Sequence, residues 1–130
     1  MKTYWDSSAL IEALHDPDMR QRIKPDDNGT RTHTLSELFS TLTKGVRFRY
    51  PPDDAAKMLL SLVPRLSFVD LTTDEIMEAI QNAGLQGVRG GRIHDLIHAW
   101  AAKKWRADVL LTLDAAGFTT LKVPVKIAEP

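Results

Sequence analysis

The sequence predicts an α/β fold, a three-layer α/β/α sandwich on a mainly parallel sheet, built as one domain over residues 1–130. Three observations predict it. Short strand-like runs alternate with helical segments of ten or more residues, the pattern of βαβ units. Residues 108–113, Asp-Val-Leu-Leu-Thr-Leu, form a nearly continuous apolar run, which suits a strand buried on both faces of a parallel sheet. No repeat, low-complexity tract or Gly/Ser linker divides the chain, and 43% hydrophobic with 26% charged residues is the balance of a globule with its own core.

Taken in order, residues 2–6 read as a short strand, and from Ser7 the spacing of Leu10, Ile11 and Leu14 predicts a helix with one buried face. Residues 24–29, Lys-Pro-Asp-Asp-Asn-Gly, carry turn residues and predict a loop, with a possible strand at 31–34. Leu35, Leu38, Phe39 and Leu42 make a helical stripe, and Thr34-Leu35-Ser36-Glu37 has the spacing of a capping box at its start. Pro51-Pro52 ends that segment; Asp53 opens a helix through Met58, Leu59, Leu62 and Val63, followed by a strand at 66–71. Thr72-Thr73-Asp74-Glu75 is a second capping box, opening a helix that stops near Gly84. Residues 87–91 read as a loop, and 92–105 as a helix with Ile93, Ile97, Trp100 and Ala101 on one side. After the strand at 108–113, a weak strand is expected at 121–125.

Seventeen basic residues balance seventeen acidic ones, so no global positive field announces a nucleic-acid partner. Binding of RNA would need a local patch, for which Lys44, Arg47 and Arg49 (interleaved with Phe48 and Tyr50) and Arg89 with Arg92 are the candidates; each cluster is equally well read as solvated charge. Without cysteine there is no disulfide and no thiolate ligand or nucleophile, which favours oxygen-bound metals such as magnesium or manganese. The first residues lack the apolar run of a signal peptide and no stretch approaches a membrane span, so a soluble, cytoplasmic protein with no membrane partner is expected.

Chemistry is carried by acids. Asp6 closes the first strand and Asp114 follows the most buried one, so in a parallel sheet both project from the rim where α/β folds bind ligands. Each is also well placed to cap the helix or turn that follows it. Glu37 has a structural reading as the capping-box acid. Asp95, near the start of its helix, reads as a solvated acid complementing the dipole; Ala99 and Ala102 on its side suggest a covered face instead.

Together, Tyr4-Trp5-Asp6-Ser7-Ser8-Ala9-Leu10, Leu35-Ser36-Glu37-Leu38, Gly91-Arg92-Ile93-His94-Asp95-Leu96-Ile97 with Ala99, Ala101 and Ala102, and Leu111-Thr112-Leu113-Asp114 resemble the successive acidic motifs of PIN domains, in their order and over nearly the whole chain. At this length the chain is similar to the stand-alone VapC-like toxin ribonucleases of toxin-antitoxin pairs. The resemblance implies a divalent-metal-dependent endoribonuclease whose catalytic acids are Asp6, Glu37, Asp95 and Asp114. Asp6 and Asp95 would be direct ligands of Mg2+ or Mn2+, and Asp114 a direct or water-mediated one. Glu37 would position the nucleophilic water or a second ion, with Ser7 and Thr112 in support. It further implies single-stranded or looped RNA as substrate, an antitoxin lying over the helices near Asp6 and Glu37, and a homodimer. Ala115-Ala116 stands where some members carry another acid, which leaves one metal or two open. Four carboxylates brought within several ångströms repel by about 4 kcal/mol per closest pair at intermediate dielectric, which a cation relieves.

Two rivals stand beside this. His94-Asp95-Leu96-Ile97-His98 differs from the zincin helix motif only by aspartate for glutamate, and places two imidazoles on one helix face, as a zinc hydrolase would; no third ligand is evident. A non-enzymatic, receiver-like signalling domain would also gather acids at strand ends, with Asp70 as phosphate acceptor, but would leave Glu37, Asp95 and Asp114 idle.

Overall fold

The structure, a computed structural model, describes residues 1–130. Five short strands, β1 (Thr3–Trp5), β2 (Asn28–Thr30), β3 (Ser67–Phe68), β4 (Val109–Leu111) and β5 (Lys126–Ala128), form one sheet in the order β3-β2-β1-β4-β5. Every pairing is parallel, with Thr3 beside Asn28 and Val109 in register. The chain therefore winds outwards from β1 to β3, then crosses back to lay β4 on the other side of β1. The order reverses between β1 and β4, the place beyond whose carboxyl ends open α/β sheets bind their ligands.

Side chains alternate across the sheet. Trp5 joins a core with Leu10, Leu14, Leu38, Leu42 and Leu62, under α1 (Ser7–Leu14), α3 (Thr34–Lys44) and α4 (Pro52–Leu62). Tyr4 faces the opposite way, into a core with Leu96, Ala99, Leu110, Phe118 and Leu121, under α5 (Thr73–Ala83), α6 (Ile93–Lys104) and α7 (Ala115–Thr119). These are the two faces of the expected three-layer sandwich. No helix is long and apolar enough to cross a membrane.

Several elements differ from expectation. The second strand is Asn28–Thr30, overlapping the end of the expected loop, and 31–33 lead through a turn into α3, which takes in Thr34. Asn28 is admitted because its amide is fully used: Trp5 Nε1 donates to its Oδ1 (2.8 Å) and its Nδ2 donates to the Lys24 carbonyl (3.1 Å). Gly29 is needed there because a Cβ would lie 3.0 Å from both the Ser67 carbonyl and the Trp105 ring. The last strand lies at Lys126–Ala128 instead of 121–125, where Pro124 lacks an N–H and the amides of Val123 and Val125 bond locally to Leu121 and Val123. A short helix, α2 (Pro17–Gln21), is capped by Asp16, and α7 occupies what reads as a turn. In α6 the buried residues are Leu96 to Ala99 with Ala101 and Ala102, whereas Ile93 and Trp100 are half-buried.

The two capping boxes part company. Thr72 and Glu75 make both reciprocal bonds at the start of α5 (3.2 and 2.8 Å). At α3 the N-cap residue is His33, which makes no side-chain cap bond; Thr34 is already inside the helix, and its hydroxyl bonds to Thr30 (2.8 Å). Glu37 is left for another partner.

Candidate active site

At the end of β1, Asp6 is 4% exposed and caps α1: its Oδ1 accepts from Ala9 N (2.9 Å) and Ser8 Oγ (2.7 Å). At the end of β4, Asp114 caps α7 through Oδ1 and Gly117 N (3.1 Å). A Cβ at Gly117 would overlap that carboxylate, so the small residue there is part of the cap. Both aspartates thus do perform the structural work their positions suggested, while occupying adjoining strands at the point of order reversal. The two strand ends are stitched together. Ser8 Oγ accepts from Leu113 N (3.0 Å) and lies 3.4 Å from Thr112 Oγ1, which is buried and accepts from Asp114 N (3.0 Å). Ser8 is the hydroxyl that sequence reasoning passed over, although it sits in the same Asp-Ser-Ser run as Ser7.

Asp95 reaches this rim from the first turn of α6 and is half-buried. Burial raises its carboxyl above the ordinary aspartate range, and the charges of Asp6 and Asp114 push it up further. The three aspartates are therefore close enough to feel one another. In the structure they do not yet form a ligand shell, since no three His, Asp or Glu side chains are arranged to hold a metal ion. As a donor set they fit one: all oxygen, mutually repelling, partly dehydrated, with the second oxygen of Asp6 free of protein hydrogen bonds.

Glu37 approaches from α3, half-buried, with Ser7 Oγ 3.4 Å from its Oε2 and His98 Nε2 3.0 Å from its Oε1. Burial alone would raise its carboxyl, but the hydrogen bond from His98, with the charges of His33 and Arg31, carries it below the usual range. It remains an anion. Beside it opens a polar pocket of about 380 Å³ lined by His33, Ser36, Glu37, Ser40 and His94, with the His33 and His94 rings stacked at 6.3 Å.

The zinc arrangement does not form. His98 is 2% exposed and spends Nδ1 on the Tyr4 hydroxyl (2.7 Å) and Nε2 on Glu37, which leaves no lone pair for a metal, while His94 lies at the surface against His33. The receiver-like arrangement fails too: Asp70 follows β3, an edge strand, and is taken up by Thr32 N (3.2 Å) and Oγ1 (2.9 Å).

The basic candidates divide. Arg47 pairs with Glu12 (2.7 Å) and lies over the Phe48 ring, and Arg92 donates to Gly117 O (3.0 Å) and Thr120 Oγ1 (2.8 Å), bracing α7. Phe48 and Tyr50 stack on His15 and pack on the core, which removes them as stacking platforms. Lys44, Arg49 and Arg89 are exposed.

No family sequence model and no curated protein matches the chain. Solved structures do. VapBC2 from Rickettsia felis, bound to a DNA fragment from its promoter, superposes with a TM-score of 0.72 at 16% identity over 100% of this chain and 99% of that one. The fold is the PIN-like fold. VapBC-1 from nontypeable Haemophilus influenzae aligns at 0.67 and 16% identity over 99% and 98% of the two chains. VapC20 of Mycobacterium tuberculosis, a toxin that cleaves the sarcin-ricin loop, aligns at 0.58 and 21% identity over 84% and 87%. The PIN-like sandwich thus covers the whole of this chain, with Asp6, Asp95 and Asp114 at its switch point.

Proposed function

We propose that the chain is a Mg2+- or Mn2+-dependent endoribonuclease acting as the toxin of a toxin-antitoxin pair. The observation that carries this reading is the crowding of Asp6, Asp95 and Asp114 at the switch point of a PIN-like sheet, strong enough to raise the Asp95 carboxyl once burial has begun to do so. Asp6 and Asp95 would hold the ion directly and Asp114 directly or through water. An ion there supplies polarisation of a phosphoryl oxygen and a water of lowered pKa.

The protein's own groups do the rest. Glu37, kept anionic, accepts a hydrogen bond from the attacking water and orients it towards phosphorus. Ser7 steadies the Glu37 carboxylate, and Thr112 with Ser8 keeps the two strand ends at fixed spacing. Lys44, Arg49 and Arg89 hold RNA phosphates beyond the cleaved one. A single-stranded or looped RNA suits the open polar pocket beside Glu37, where unstacked nucleotides have room.

The antitoxin reading is supported by an apolar groove of about 440 Å³ next to Ser7 and Ser8, lined also by Ile11, Val46, Phe48 and Leu113. Val46 and Leu113 are exposed there, as anchors for an amphipathic segment would be. A cytoplasmic location and a homodimer complete the proposal.

Cleavage of structured RNA with magnesium or manganese tests it, comparing wild type with Asp6→Asn and Asp95→Asn. Asparagine caps a helix as well as aspartate does, so Asp6→Asn removes charge while sparing α1. Loss of cleavage in both variants is expected, and undiminished cleavage in both overturns the assignment.

A further inference from the structure

We infer that His98 is a positioning residue that aims Glu37 into the site, with the Tyr4 hydroxyl fixing the tautomer of the imidazole. This rests on the ribonuclease reading, in which Glu37 acts on the attacking water.

His98 sits in mid-helix among Ile97, Ala99 and Ala101, where an apolar residue would pack without cost, yet it is 2% exposed and polar. Burying an imidazole is tolerated only when its nitrogens are satisfied, and both are. An ionised carboxylate only accepts, so Nε2 carries the hydrogen that binds Glu37 Oε1 at 3.0 Å. In a neutral ring Nδ1 is then an acceptor, and the hydroxyl 2.7 Å away is that of Tyr4, fully buried in β1. A phenol keeps its proton at neutral pH, so the Tyr4 hydroxyl is free to donate. With the ring neutral, one proton arrangement satisfies all three groups: Tyr4 Oη–H to Nδ1, Nε2–H to Oε1.

The consequence falls on the free end. A glutamate in the first turn of a helix samples many rotamers unless a partner holds it. With Oε1 tied to α6, Oε2 is left beside Ser7, the residue that follows Asp6. A carboxylate from α3 is thus aimed by a residue 61 positions away, across the sheet edge that separates the two cores. Partners of this kind commonly change activity by about 10–100-fold.

Two measurements decide it. In the metal-free protein, nitrogen NMR of labelled histidine should find His98 neutral with the proton on Nε2, and Tyr4→Phe should shift that population towards the other tautomer. In RNA cleavage, His98→Leu should lower kcat by about 10–100-fold with KM nearly unchanged, and His98→Gln, whose amide N–H occupies the place of Nε2–H, should recover most of the loss. In a Glu37→Gln background His98→Leu should cost nothing further, which a merely structural role would not produce. A proton on Nδ1, or full kcat in folded His98→Leu, overturns the proposal. If His98→Leu fails to fold, the tautomer and the glutamine variant still decide. Absence of cleavage by wild type would instead strike the ribonuclease reading, leaving the tautomer to test the arrangement.

Discussion

Thr34-Leu35-Ser36-Glu37 and Thr72-Thr73-Asp74-Glu75 carry the same local instruction and obey it differently. At α5 the threonine is the N-cap, its hydroxyl accepts from Glu75 N, and the glutamate reaches back to Thr72 N. At α3 the helix begins one residue earlier, after an N-cap residue, His33, that makes no side-chain cap bond, and the Thr34 hydroxyl is taken by Thr30. The glutamate then turns away from its own helix to His98 and Ser7. A capping box contributes about 1 kcal/mol. A buried histidine left without its partner costs about 1–3 kcal/mol, which is enough to outweigh it. The difference teaches that a spacing motif holds only where no long-range partner competes for its side chains.

The largest expected contrast is in activity. Glu37→Ala should lower RNA cleavage by at least about 100-fold, while Glu75→Ala, remote from the rim, should leave the rate within about twofold. Equal losses would erase the distinction between a site residue and a cap. Next comes stability by urea unfolding. Glu37→Ala strands His98 Nε2 and should cost about 1–3 kcal/mol, and Glu75→Ala should cost visibly less.

A smaller effect of opposite sign is expected across the rim. Asp95 has a folded pKa raised above its unfolded value, so its ionised form is penalised on folding and the penalty is relieved as pH falls. Asp95→Asn should therefore stabilise the metal-free protein at pH 7, by less than about 1 kcal/mol because the side chain is half in water. A lower melting temperature with chelator present would contradict the charge crowding. The smallest test separates the two glutamates by salt. Both have lowered pKa values, so each contributes stability that is present above the unfolded glutamate pKa and lost as pH falls through the folded one. For Glu75 the first cause is its exposed bond to Lys104, which concentrated salt should weaken; for Glu37 the contribution of His98 is sheltered and should persist. Unfolding of Glu75→Ala and Glu37→Ala at low and high salt reads the difference.

Much of this was legible along the chain. Asp6 and Asp114 followed from strand ends, the apolar run at 108–113 announced the central β4, and the covered side of Asp95 followed from Ala99 and Ala102. What was not legible depends on partners far away in sequence. Asn28 and Gly29 look like a turn until Trp5, Ser67 and Trp105 are laid against them. His94 and His98 look like a zinc pair by their spacing, yet one turns to solvent and the other inward to Tyr4. Glu37 read as a cap because its true partner, His98, is on another helix. Only the resemblance to PIN domains had singled it out for chemistry.

Asp6 and Asp114 each surrender Oδ1 to a helix start. An oxygen that already accepts from an amide has one lone pair fewer for an incoming ion. Were the two carboxylates to hold an ion, as proposed, each would be a one-handed ligand, offering chiefly its second oxygen with a reach set when its helix winds. Small cations that keep most of their water suit such hands; large ones that want a carboxylate's full grip do not. Choice among ions would be written into the folding of α1 and the five residues of α7.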